Sequence, residues 1–327
     1  MRGNLLRLAV TVLLLLLVLS RVDWKEFRAV GSSVDISLVF VGYLLNLAMV
    51  GFNTLRWSVL IAPLRIPVRF GRLASYYFVC MFFNNFMPTS IGGDVVRVFD
   101  LARHTGDKSS SMASILVERL LGLYVLVPIG LGAFLILYPE LPERRWFFLA
   151  EAGMALAFLL GTLLIRRRSL RKIEPLLRPF DSLLVRLDAK RKMGRLYDHL
   201  DFYKSRLGVV LLALLLSLLS RVVWVVSCYV LGRAIGIELG PVHYFLIMPL
   251  VEVGRMLPVS INGMGIREGV FLLALGVFGV GSAPAIFLSV LIYGLFLVNG
   301  IIGGLIYGLR GFFGAGRFSM ERRDGTD

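Results

Sequence analysis

Cysteine, histidine and charge are all scarce in this chain. Of its 327 residues two are Cys and three are His, and only 17% are charged. Cys80 and Cys228 each lie inside an apolar run, where a single thiol behaves as a small hydrophobe, so no disulfide is expected. His104, His199 and His243 are far apart and show no ligand spacing with Cys or paired carboxylates, so no metal site is expected. A Walker-type phosphate loop, a zinc motif and a Ser-His-Asp arrangement are also missing. That excludes ATP use by this chain on its own, and it leaves no cofactor and no catalytic residue to assign.

Apolar residues are abundant instead. They make up 57% of the chain, and the mean hydropathy is +0.79, outside the range of soluble domains. A transmembrane helix needs about 20 mostly apolar residues. Residues 5–20, 37–61, 112–137, 146–165, 207–232 and 284–309 are candidates, whereas the runs 73–87 and 244–257 are stopped by a proline and are too short. Arg2 and Arg7 precede the first run as the basic region of a signal peptide would. The following "RVDWKEF" offers no small-x-small cleavage site, so the segment reads as an uncleaved anchor.

The net charge of +15 is read first as topology rather than as nucleic-acid affinity, so nucleic acid is not an expected partner. Residues 166–206 hold 13 Lys and Arg against five Asp and Glu, which makes that loop cytoplasmic by the positive-inside rule. If the short run 73–87 crossed the membrane, the basic loops would alternate sides. Parity is restored when 73–87 enters from the cytoplasm and returns, and when 244–257 enters from outside and returns through 266–280. The expectation is an all-α polytopic membrane protein with about six spanning helices, two opposed re-entrant hairpins, and both termini cytoplasmic. Within the basic loop, apolar residues at helical spacing predict two amphipathic helices, lying on the inner leaflet or packed on the bundle.

The two short runs also resemble each other. Pro88-x-Ser90-Ile91-x-Gly93-x-x-x-Arg97 aligns with Pro258-x-Ser260-Ile261-x-Gly263-x-x-x-Arg267, five identities in ten positions. The match falls at the two interrupted segments, which points to an inverted repeat. Repeat 1 would cover about 37–165 and repeat 2 about 207–310, with the basic insert 166–206 between them and a cytoplasmic tail at 311–327.

A helix broken at membrane depth leaves backbone groups that hydrocarbon cannot satisfy, so such a break lines protein or water. Gly92 and Gly93 permit the turn, and the helix starting near Asp94 presents its N-terminus, which favours anions. Arg97 and Arg267 hold equivalent places and would grip a phosphate; alternatively they pair with Asp94 and Glu268 on their own helices. Arg56 has a snorkelling reading, as do Glu118 and Arg119. Arg221, mid-segment, and Glu252 are expected to face the interior, and Arg255 pairs with Glu252 or lines the same cavity. Asn84, Asn85, Ser90, Ser260 and Asn262 would cap helix ends or contact a headgroup, capping being preferred for the two serines.

The blocks "NNFMPTSIGGDVVRVFDLAR", "SILVERLLGL" and "LPVSINGMGIREGVF" resemble the lysylphosphatidylglycerol synthase transmembrane family, a flippase-like membrane domain, from about the second helix to the last. Members with a complete lipid aminoacylation system carry a further soluble aminoacyltransferase domain, whereas this sequence stops after "RFSMERRDGTD". The resemblance therefore implies the lipid-translocating half, in the plasma membrane. Asp94, Arg97, Glu118, Arg119, Arg267 and Glu268 are the positions carried over. The expected function is movement of an anionic phospholipid, an aminoacylated lipid or a polyprenyl-phosphate lipid. The alternative is a membrane subunit or intramembrane transferase of envelope lipid biosynthesis, with Glu118, Glu252 and Glu268 as bases. Expected partners are anionic lipids, with a soluble transferase or a second copy of the chain as further candidates.

Overall fold

Aspartates start the first helices of the bundle. In the computed structural model, which describes residues 2–64, 68–86, 92–141, 144–165, 202–203, 205–256, 260 and 263–321, Asp23 and Asp35 each accept two backbone N–H groups. This satisfies donors that a helix N-terminus leaves open. α1 (Arg2–Leu19) is followed by α2 (Trp24–Ser32) and α3 (Ile36–Ile61). α4 (Phe70–Phe86), α5 (Gly92–Thr105), α6 (Lys108–Tyr124), α7 (Leu126–Leu137) and α8 (Arg144–Ile165) complete the first half. The second half holds α9 (Leu207–Ala234), α10 (Pro241–Met256), α11 (Ile266–Gly276) and α12 (Ser282–Glu321).

Four helical stretches among the described residues are long and apolar enough to cross a membrane: Ile36–Leu64, Lys108–Leu137, Leu207–Ala234 and Ser282–Arg310. Of the other two expected spans, the first coincides with α1, whose apolar part runs Ala9–Leu19, and the fourth with the 22-residue α8. Two local features differ from expectation. The mixed-charge stretch after α1 contains α2, a helix signalled by Asp23 and by Glu26 three residues on. The expected span 112–137 is broken at Val125, because Pro128 has no N–H for the carbonyl of Tyr124. The amphipathic helices expected within 166–206 lie outside the described residues but for Phe202, Tyr203, Ser205 and Arg206.

α3 and α9 form the centre and run antiparallel. Ser227 donates to the Gly42 carbonyl at 2.7 Å, Ser220 to Asn53 at 2.8 Å, and Arg56 to Ser217 at 3.0 Å, so partners ascend one helix as they descend the other. Tyr203 donates to the Leu60 carbonyl (2.8 Å) at one end of the pair. The Asp35 N–H donates to the Ala234 carbonyl (2.8 Å) at the other.

The short helices are hairpin arms. α4 and α5 lie antiparallel: Arg72 meets His104 (2.7 Å) at the open end, and Asn84 accepts the Gly93 N–H (2.7 Å) at the tip. In α10 and α11 the rings of His243 and Phe278 meet at the open end with centroids 4.7 Å apart, while Gly254 faces Ile266 near the tip. α4 follows the C-terminus of α3 and α10 follows the C-terminus of α9, so the hairpins open at opposite ends of the central pair. The contacts repeat as well. α4 packs on α12 as α10 does on α7; α5 on α6 as α11 does on α12; α3 on α4 as α9 does on α10.

The α4–α12 seam depends on small residues, as close helix packing in a membrane does. A Cβ on Gly303 would overlap the Phe78 carbonyl, and one on Gly304 would come within 2.7 Å of the Phe82 ring. Gly294 in the same helix has nothing within 4 Å of its would-be Cβ. Gly303→Ala is therefore expected to destabilise the protein by about 1–3 kcal/mol, whereas Gly294→Ala leaves it unchanged or up to about 1 kcal/mol more stable, as read by thermal unfolding in detergent.

Candidate functional site

The helix break after Phe86 and the one after Met256 come together in space. Between them lies a cavity of about 200 Å³, walled by α3, α4, α5, α6, α9, α10, α11 and α12. Asn84, Asn85, Asp94, Arg97, Glu118, Arg119, Arg221, Glu252, Arg255 and Arg267 all line it. Arg97 and Arg267, 170 positions apart in sequence, thus share one chamber.

The first wall is an ion-pair network buried among aromatic rings. Glu118 accepts from Arg56 (2.7 Å) and from the Tyr77 hydroxyl through one oxygen, and from Arg97 (2.6 Å) through the other. The Arg97 guanidinium lies 4.0 Å from the centre of the Trp57 ring and 3.9 Å from that of Tyr77, and it reaches Asp94 at 3.4 Å. Asp94 also binds Arg119 at 2.5 Å and lies 3.7 Å from the Cys80 thiol. Desolvating so many charges is costly unless every one finds partners, and here each carboxylate contacts at least two donors.

The second and third groups come from the other half of the chain. Glu252 faces two cations, Arg255 at 3.2 Å and Arg221 at 3.5 Å. Arg267 pairs with Glu268 and donates to Ser289 at 2.8 Å, with Tyr293 under its guanidinium at 4.8 Å. Among the described residues six guanidinium groups thus meet the carboxylates of Asp94, Glu118, Glu252 and Glu268, a surplus of two positive charges. The surplus is reachable, for the side chains of Arg119, Arg221 and Arg255 are 33%, 25% and 20% exposed against 3% for Arg97.

Several expectations need correction. Arg56 does not snorkel to an interface: it is 5% exposed and spent on Glu118 and Ser217, because a carboxylate 62 positions away needs it. Glu118 likewise belongs to the buried network rather than to a helix end. Ser260 does not cap α11. Its hydroxyl has no partner among the described residues, while the helix starts at Ile266 behind Gly265 (φ 83°), whose N–H is accepted by Glu268 at 2.7 Å. The Gly93 N–H at the start of α5 is taken by Asn84, so this group is not open to a ligand. Gly92 opens α5, Gly93 packs against Cys80 where a Cβ would overlap its carbonyl, and Gly263 (φ 72°) turns beside Arg255. Glu268 supports Arg267 without lining the cavity. Ser90 and Asn262 lie outside the described residues.

Asn53, Tyr77, Tyr293 and Phe296 also line the cavity and were not singled out from sequence. Tyr77 had one readable signal, a polar tip in an apolar run that must find a partner when buried. Nothing local marks the others.

The lysylphosphatidylglycerol synthase TM region, as a family model, matches residues 4–303 of the 327. The chain belongs to that family, whose members are membrane proteins tied to lipid biosynthesis or translocation. Among curated proteins and among solved structures, none matches the chain.

Removing one partner of a buried ion pair strands the others. Glu118→Gln is expected to cost about 3–5 kcal/mol, because Arg56 keeps its charge without a counter-ion and Arg97 is left with the longer contact to Asp94 alone. Arg221→Gln, in a partly open pair, costs about 1 kcal/mol or less. Denaturant unfolding in micelles, followed by tryptophan fluorescence, separates the two.

Proposed function

We propose that the protein is a lipid translocase that holds an anionic headgroup phosphate in the central cavity while the acyl chains stay in the surrounding lipid. The observation that carries this reading is the surplus of exposed guanidinium charge between the tips of two opposed hairpins. Guanidinium binds phosphate oxygens bidentately, and charged groups at membrane depth are costly enough to mark function. The cavity, about 200 Å³, is below the roughly 300–1,000 Å³ of drug-sized pockets, which suits a headgroup phosphate better than a whole lipid.

In this reading Arg119, Arg221 and Arg255 meet the phosphate, and Arg97 and Arg267 hold the chamber's shape from within their own ion pairs. The hairpins are re-entrant, and the two halves form an inverted repeat in the plasma membrane, with both termini cytoplasmic. The antiparallel α3–α9 pair and the repeated packing of the hairpins support this, since a two-fold axis in the membrane plane relates equivalent helices in opposite directions. One repeat rocking against the other would then expose the cavity to each leaflet in turn. A transferase role for Glu118, Glu252 or Glu268 has less support, because each of these carboxylates is already engaged by a guanidinium group.

The test is flux in vesicles containing labelled phosphatidylglycerol or polyprenyl phosphate. Headgroups are expected to move between leaflets above the rate of empty vesicles, and the double variant Arg119→Gln, Arg221→Gln, which leaves Asp94 with Arg97 and Glu252 with Arg255, should lose at least about tenfold of that rate while remaining folded. No movement of any such lipid by the unmodified chain would sink the reading.

A further inference from the structure

One buried carboxylate takes no part in the cavity. Glu151 sits on the packed face of α8, in the stripe Phe147, Glu151, Met154 and Phe158, and is 3% exposed. Neither of its carboxylate oxygens has a hydrogen-bond partner among the described residues. It is seven residues inside α8, roughly 10 Å along the helix from Arg144. It faces Gly130 of α7 so closely that a Cβ there would lie 2.6 Å or less from both oxygens.

Among the described residues no charge pairs with it. α7 contains no ionisable residue. On α10, Glu252 and Arg255 face the central cavity and each other, His243 stacks on Phe278, and Tyr244 stacks on Tyr229. Tyr124 of α6 meets α8 two turns away, through the ring of Phe158. An isolated carboxylate in such surroundings is tolerable as the neutral acid and costly as the ion. The carboxylic acid fits the closed α7–α8 contact, and the carboxylate favours opening it to water.

We propose that Glu151 is a proton-binding site that couples lipid movement to a transmembrane proton gradient. The proposal rests on the translocase reading. The link to the cavity is short: α7 continues from α6 across the break at Val125, and Gly122 and Leu123, which line the cavity, lie seven or eight residues before Gly130. Loss of the proton releases α8 from α7, and the freed α6–α7 joint shifts the wall carrying Glu118 and Arg119. The transmembrane proton gradient supplies the energy.

Two measurements test it. In phosphatidylcholine vesicles holding labelled phosphatidylglycerol, an imposed pH gradient should drive accumulation in one leaflet by up to about tenfold per pH unit at one proton per lipid. Glu151→Gln, an imitation of the protonated acid, should keep leaflet exchange but lose the response to the gradient. Equal responses in both proteins, or no response in the unmodified chain while lipid still moves, would overturn the proposal. The second measurement requires no transport: infrared spectroscopy of the purified full chain at neutral pH should show a protonated-carboxyl stretch that Glu151→Gln lacks. If that variant does not fold, loss of the band on raising the pH of the unmodified chain provides the same test. No such band at neutral pH overturns the proton site whether or not lipid moves, whereas a band without lipid movement overturns the translocase reading and the coupling with it.

Discussion

Glu118 of α6 joins three other helices at one buried carboxylate. Its two oxygens fix Arg56 of α3 and Arg97 of α5, and the Tyr77 hydroxyl of α4 closes on the same carboxylate. One acid thus ties the central helix pair to both arms of the first hairpin. Burial makes the tie strict, because in a low-dielectric interior each of these charges is tolerable only while the others stay in place. The sandwich of Arg97 between Trp57 and Tyr77 adds shape to that constraint. The first half of the cavity is therefore held together as one unit.

The second half is built on looser terms. Glu252 is shared by Arg221 and Arg255 at longer distances, and these side chains are partly open. Among the described residues each wall carries three guanidinium groups for two carboxylates, and a cavity with one positive charge over on either side suits a site that must take up and release an anion. Binding that saturated every charge would hold its ligand too tightly for turnover. The small-residue seam between α4 and α12 then sets how near the first hairpin stands to the second half, through Gly300, Gly303 and Gly304.

Much of this could be read from the residues in order. Apolar length located α3, α9 and the apolar stretch Ser282–Arg310 of α12 to within a few positions, and the prolines and glycines marked the two hairpins. Charge parity is what suggested that those two segments turn back. Arg221, Glu252, Arg255 and the paired Arg97 and Arg267 were legible as interior charges because the membrane makes such residues expensive. What the order of residues did not disclose was partnership. Arg56 lies near a helix end and reads as an interfacial cation until Glu118, 62 positions on, is placed beside it. Tyr293 and Asn53 owe their roles wholly to tertiary neighbours. Glu151 is not among the charges singled out from sequence, and its isolation becomes visible only when α7 and α10 are seen to bring it no counter-charge.

The central claim is that a lipid phosphate occupies the chamber between the hairpin tips. A density map of the protein in a lipid bilayer disc containing anionic phospholipid addresses it most directly. The account predicts a phosphate peak among Arg119, Arg221 and Arg255, with acyl density leaving sideways into the bilayer. A chamber filled by water alone, with ordered headgroups found solely at the two membrane surfaces, would contradict it.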